Sequence, residues 1–292
     1  MTDGVSYYPM NTAGLAFRTN PRLVRTGQAT KDYGEMTPVV YRNRLLLLAS
    51  ASGASAANPF RPSRCLWIED VKSRQVVSAF APVYGLGSAF VHDDTFHAFA
   101  IPNDSGGAQH IDRFSSTDLR HWEVAPALHA ESGEELFNES VCEARGRFIM
   151  AFESRDKKTK PFTIYFAESH DMRKWTRMSL PVFAPERYTA CPTIRYIDGM
   201  YYMLYLEHKV PDWRFETYIV RSRDLQSWEQ SPRNPVLEPQ GPEDINASDI
   251  DLVEFEGKVL VYYGYGDQRG EGGIASAEYA GSLRSFFEHY FP

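Results

Sequence analysis

Five carboxylates of this 292-residue chain, Glu35, Glu139, Glu153, Glu207 and Asp249, each stand seven or eight residues from the centre of a short polar turn. Five such turns define ten positions at that distance, before and after each turn. Half of the ten are acidic, in a chain where Asp plus Glu is 38 of 292. Near them in sequence stand Asn138, Arg155, Tyr188, His208, Asn246 and Gln268, side chains able to bond hydroxyl groups. Converging carboxyls suit acetal cleavage, in which one acid protonates the leaving oxygen and another activates water. On this reading Glu207 is the general acid and Asp249 or Glu35 the base. Glu139 and Glu153 tune protonation or hold hydroxyls. Asp251, two residues beyond Asp249, reads as structural, and Glu153 has Arg155 and Arg145 as alternative partners.

The turns that position these residues are Arg42-Asn43-Arg44, His92-Asp93-Asp94, Ala144-Arg145-Gly146-Arg147, Ile197-Asp198-Gly199-Met200 and Phe255-Glu256-Gly257-Lys258. Each lies between two apolar runs, and Asp-Gly or Glu-Gly at such a place signals a hairpin. Their centres are separated by 50, 53, 53 and 58 residues. In a hairpin the start of the first strand and the end of the second share an edge, so hairpins around a channel would bring the acids to one rim.

A second repeat keeps the same beat. Ser116-Thr-Asp118-Leu119-Arg-His-Trp122 is echoed by Ser169-His-Asp171-Met172-Arg-Lys-Trp175 and by Ser222-Arg-Asp224-Leu225-Gln-Ser-Trp228, with 53 residues from Asp to Asp each time. Periods of about 40–50 residues belong to propeller blades. The Ser and Asp side chains are expected to bond turn amides and the Trp to fold back on its blade, at the periphery and away from the channel. The whole chain therefore reads as one all-β domain, a five-bladed β-propeller. Its blades span about 33–82, 83–130, 131–184, 185–240 and 241–284, after a lead-in over 1–32 and before a tail over 285–292. Part of the lead-in, Leu15–Phe17 or Leu23-Val24, should add a strand to the last blade and close the ring, which protects the sheet edges. Ser50 to Pro62 reads as a long overhanging loop, and the aromatic tail as a short helix packed on the ring.

Bulk composition narrows the partners. A net charge of −7 with no Lys/Arg block argues against nucleic acid, and no run approaches the length of a membrane span. Cys65, Cys142 and Cys191 lack zinc spacing and are odd in number, so they are read as small core residues. The first ten residues carry no signal-peptide pattern, which points to a cytoplasmic location. No cofactor is expected; a structural Ca²⁺ in the channel could use the rim oxygens.

The Ser-x-Asp-Leu-x-x-Trp phrase at blade spacing and the Asp198-Gly199-Met-Tyr-Tyr-Met203 hairpin resemble the five-bladed propeller glycoside hydrolases. These are related to the arabinanase/β-xylosidase family 43 and the invertase-like family 32. The resemblance covers about residues 33–284. Sialidase Asp-boxes look similar, but they carry a Gly after the Asp segment that is absent here. The resemblance implies an exo-acting, inverting glycosidase with a carbohydrate substrate. Matching the family 43 acids by position places Thr37, Asn138 and Ala190 where that family has its base, its second Asp and its acid. Glu35 and Glu139 lie one or two residues away. Two other readings compete: phosphorolysis, with a basic cradle from Arg155, Arg187 or Arg195 and His208, and a carbohydrate-binding propeller without catalysis.

Overall fold

The second strands of the hairpins read LLLLA, FHAFA, FIMAF, YYMLYL and VLVYY, apolar on both faces. Such runs are stable as strands only when both faces are covered, and stacking blades side by side covers them. The structure, a computed structural model, describes residues 23–30, 33–55, 58–102, 108–156, 159, 162–268 and 272–292. It is a five-bladed β-propeller.

Blade 1 comprises Tyr33–Tyr41, Arg44–Ala51, Cys65–Asp70 and Gln75–Phe80, and blade 2 comprises Tyr84–His92, Thr95–Pro102, His110–Ser116 and Glu123–His129. Blade 3 runs Glu135–Ala144, Arg147–Arg155, Thr163–Ser169 and Thr176–Arg177; blade 4 runs Thr189–Ile197, Met200–Lys209, Arg214–Ser222 and Glu229–Gln230. Blade 5 has Asn246–Phe255, Lys258–Gly266 and Gly272–Ala280. Its outer strand is Val24–Thr30 from the lead-in, antiparallel to Gly272–Ala280. The expected closure thus uses the stretch after Leu23; Leu15–Phe17 lies outside the described residues. Blades 4 and 5 are also joined by a short parallel pairing of Phe215 and Glu216 with Asn246 and Ala247.

All five innermost hairpins have two-residue turns with both residues at positive φ: Arg42-Asn43, Asp93-Asp94, Arg145-Gly146, Asp198-Gly199 and Glu256-Gly257. This is the turn whose twist matches paired strands, and it selects Asn, Asp and Gly. One apolar cluster fills each blade interface. Phe80 and Tyr41 meet Phe96 and Phe114 between blades 1 and 2. Leu45, Leu47 and Trp67 meet Leu260, Tyr262 and Ile274 between blades 1 and 5, which completes the ring. The innermost strands pack around it in order, blade 5 returning to blade 1.

The Ser-x-Asp phrase forms the same turn three times. Asp118 accepts backbone N–H groups of Arg120 and His121 at 2.8 and 2.9 Å; Asp171 and Asp224 do the same with the residues two and three further on. The tryptophans fold back on their own blades, where Trp175 and Trp228 donate to the carbonyls of Met172 and Leu225 and Trp122 meets Phe96, and they also reach across to the preceding blade. Trp122 stacks on Phe80 at 3.7 Å, Trp175 meets Phe99 edge-on at 5.8 Å, and Trp228 packs on Phe166 at 5.7 Å. Each phrase is therefore a clasp between blades, at the periphery. The tail forms a helix over Leu283–Tyr290, capped by Ser282 and burying Phe286, Phe287 and Tyr290. The loop after Ser50 folds around Asn58, whose amide donates to the carbonyls of Ser52 and Ser63. No described helix is long and apolar enough to cross a membrane.

Candidate active site

Every innermost strand has a register irregularity near its start: between Gly34 and Met36, Gly85 and Ser88, Leu136 and Glu139, Ala190 and Thr193, and Ser248 and Asp251. Inside these bulges sit Glu35, Leu86, Asn138, Cys191 and Asp249, each six residues before the last residue of its strand. Four of them adopt left-handed backbone: Glu35 at φ 43°, Leu86 at 51°, Cys191 at 48° and Asp249 at 53°. Non-glycine residues seldom sit there, and a bulge re-aims the side chain it carries. Here the bulges turn one residue of each blade toward the channel end. The resulting pocket, a cavity of about 40 Å³ that opens to solvent, is lined by these residues together with Thr37, Ser88, Glu139, Thr193 and Asp251.

Four carboxylates gather at the pocket, and each is bonded to a neighbouring blade or strand. Glu139 accepts from the backbone N–H and hydroxyl of Ser88, at 3.2 and 3.1 Å, while its second oxygen has no bonding partner. Glu153 comes from the second strand of blade 3 and accepts the Cys191 N–H at 3.0 Å. Glu35 takes a hydrogen bond from Asn138, and Asp249 is bonded to Cys191 and Ser248. Glu139 and Glu153 are buried, whereas Glu35 and Asp249 are half-buried and reachable. Gly264, across from Asp249, leaves room for it: a Cβ there would stand 3.0 Å from Asp249 Oδ2.

Burial, which outweighs the weak pull of Arg64 on Glu35, sets their protonation. Desolvation, with the charge of Asp249 next, pushes Glu35 up to about 8. Desolvation also pushes Glu153 up to about 8 and holds Glu139 well above the usual carboxylate range. Asp249 is raised for the same first reason. Among the described residues no Lys or Arg lines the pocket, so four neighbouring negative charges there are unfavourable and protons are retained. Glu35, Glu139 and Glu153 are therefore held toward their protonated forms at neutral pH, with the reachable Asp249 next to Glu35. That is a general acid beside a base.

The other anticipated residues fall in different places. Glu207 lies outside the pocket, held by Arg187 at 2.8 Å, Lys209 at 3.3 Å and Tyr205 at 3.2 Å. Six residues into its strand, the position matching Glu153 in blade 4 is Leu206. Glu207 is one further on, and the two-residue period of a strand puts it on the other face. Asn138 is in the pocket; Asn246 is buried beside it, bonded to Ser248, near Gly264. Tyr188 feels the charges of Glu153, Cys191 and Asp249. Gln268 is exposed beyond the end of its strand. Cys191, read from sequence as a core residue, belongs to the channel, with its thiol 3.7 Å from Glu153. Asp251 is ion-paired with Arg195. Arg155 pairs with Glu135, and Arg187 with Glu186 and Glu207. The candidate phosphate cradle is thus already neutralised. Among the described residues no group of His, Cys, Asp and Glu is arranged to hold a metal ion. Ser88, Thr37 and Thr193 line the pocket without a sequence signal, because a hydroxyl on a strand is too common to stand out.

No protein-family model matches the sequence, and no curated protein matches it. Solved structures do share the fold. One glycoside hydrolase superposes with a TM-score of 0.64 at 16% identity, covering 87% of this chain and 91% of that one. A thermostable family-43 glycoside hydrolase gives 0.65 at 13% identity, over 88% and 92% of the two chains. The Bombyx mori family-32 β-fructofuranosidase gives 0.60 at 12% identity, over 89% of this chain and 62% of that enzyme. The chain has the five-bladed propeller architecture of family 43 and family 32 glycoside hydrolases.

Proposed function

We propose that the protein is a glycoside hydrolase whose reacting groups are Glu35 as general acid and Asp249 as base, at the channel end. One observation carries this reading: a reachable carboxyl raised to about 8 stands beside a second reachable carboxyl, backed by two buried ones, with no Lys or Arg among the described residues that line the pocket. Glu35 gives its proton to the leaving glycosidic oxygen and Asp249 removes a proton from the attacking water, so that sugar, aglycone and proton balance. The charge of Asp249, and after it that of Glu153, favours the proton on Glu35. A pocket closed in by the first strands of all five blades favours a chain end over the middle of a chain, which supports exo action. Inversion is the stereochemistry that the family 43 resemblance implies.

The test is hydrolysis of a panel of aryl glycosides and short oligosaccharides by the unaltered protein and by Glu35→Gln, Asp249→Asn and Glu207→Gln. Loss of turnover in the first two, with release of single sugars of inverted configuration by proton NMR, supports the assignment. Equal turnover in all four proteins removes it, and sugar binding without turnover in the unaltered chain indicates a binding propeller.

A further inference from the structure

The same rim carries aromatic residues that the acids do not use. Tyr188 adjoins the acid pocket, and Phe162 lies 4.9 Å from its ring, with Phe137 a further 5.1 Å on. On the other side His208 is 5.6 Å from Tyr188, stacks on Phe215 at 4.7 Å and meets Trp213 edge-on at 4.5 Å. The strip is continuous, and a small apolar cluster of Ala190, Leu206 and Phe215 underlies it.

Two features separate it from ordinary packing. Trp213 is 53% exposed, whereas the chain's other tryptophans are buried or half-buried. Trp213 and Phe162 are both held at left-handed φ, 52° and 62°. A bulky residue in that region is strained and persists only where its surroundings impose it. An exposed indole gains little from burial that would offset such strain, so its presentation to solvent needs another cause.

We infer that this strip is a binding platform for the part of a carbohydrate chain that lies outside the acid pocket, with Trp213 as its outer stacking ring. The C–H face of a sugar ring is apolar and weakly positive, which matches the negative face of an aromatic ring. The ring edges carry hydroxyls, and Arg155 stands beside the strip, over the rings of Phe137 and Phe162. Continuity with the pocket through Tyr188 fixes the occupant as the same oligosaccharide whose end enters the pocket. Nucleic acid would stack too, but a protein of net charge −7 repels it. This inference rests on the carbohydrate reading above and deepens it: the substrate is an oligosaccharide, not a small glycoside.

The experiment titrates arabino-, xylo- and fructo-oligosaccharides, from dimer to hexamer, into the full-length protein carrying Glu35→Gln, so that bound sugars are not consumed. Trp213 fluorescence and calorimetry are the readouts. One series is expected to shift the Trp emission and to bind about tenfold more tightly as the sugar lengthens past the dimer. Trp213→Ala should remove that gain and Trp213→Phe, which keeps a flat ring, should restore most of it. The inference is overturned if no series binds, if affinity does not depend on length, or if Trp213→Ala keeps the length dependence. Hydrolysis by the unaltered protein is scored separately: turnover with no length dependence sinks the platform alone, and length-dependent binding without turnover sinks the hydrolase alone.

Discussion

The protein treats the same chemical group in opposite ways at its centre and at its edge. Asp118, Asp171 and Asp224 stand at the blade edges, where paired backbone N–H groups of a tight turn hold their carboxyls below the usual aspartate range. Glu35, Glu139, Glu153 and Asp249 stand at the channel end, where burial and, for the glutamates, neighbouring carboxylate charge drive theirs up. At the edge a carboxylate is satisfied by fixed donors and water, so it can only cap a turn. At the centre donors are fewer than lone pairs, so a proton is held there and can be transferred. Environment, not residue type, decides which acids can do chemistry.

Substitutions should break this contrast to different extents. The largest effect is expected at the centre: Glu35→Gln or Asp249→Asn should lower turnover by about 10²–10⁴-fold, while Asp118→Asn leaves it near the starting level, as initial-rate assays will show. Next, Trp175→Ala should cost about 3–5 kcal/mol of stability by denaturant melts, because it empties a space between blades. Asp171→Ala should cost far less.

The pH dependence gives a smaller but more specific effect. Glu35 must be protonated to act, so activity should fall as pH rises through about 8. Glu153→Gln removes a charge that raises Glu35, and its rate profile should turn down at lower pH. The same groups act on folding. Glu35 and Glu153 bind protons more tightly folded, at about 8, than at the ordinary 4.5. Their contribution is therefore full below about 4.5 and lost as pH rises through about 8. Thermal melts of Glu153→Gln should decline less steeply across that window. The smallest change is expected from Gly264→Ala, which crowds Asp249 and should shift KM or the acid arm of the profile modestly.

Much of this is legible in the chain. The 53-residue beat and the Asp-Gly, Glu-Gly and Asn turns dictate five hairpins because that two-residue turn requires positive φ at both positions. Counting from those turns reaches Glu35, Glu139, Glu153 and Asp249. It fails at Glu207 because a one-residue error on a strand crosses to the other face. It also gives no sign of the bulges: nothing in Gly-Glu-Met or Ser-Asp-Ile announces an extra residue, since bulges follow from how neighbouring blades press on the channel. Cys191 reads as core for the same reason. The fold-back of each tryptophan on its own blade is legible, but its second contact with the preceding blade is not, because a phrase seen in one blade does not state which neighbour it grips.

The central claim is that the channel glutamates hold protons at neutral pH and the clasp aspartates do not. Carbon-detected NMR of the side-chain carboxyls, across pH 2 to 10 with Glu35→Gln and Glu153→Gln for assignment, reads this directly. Two glutamate carboxyls titrating near 8, with Asp118, Asp171 and Asp224 ionised to below the ordinary aspartate range, is the predicted result. Glu35 and Glu153 both titrating near 4.5 would contradict it.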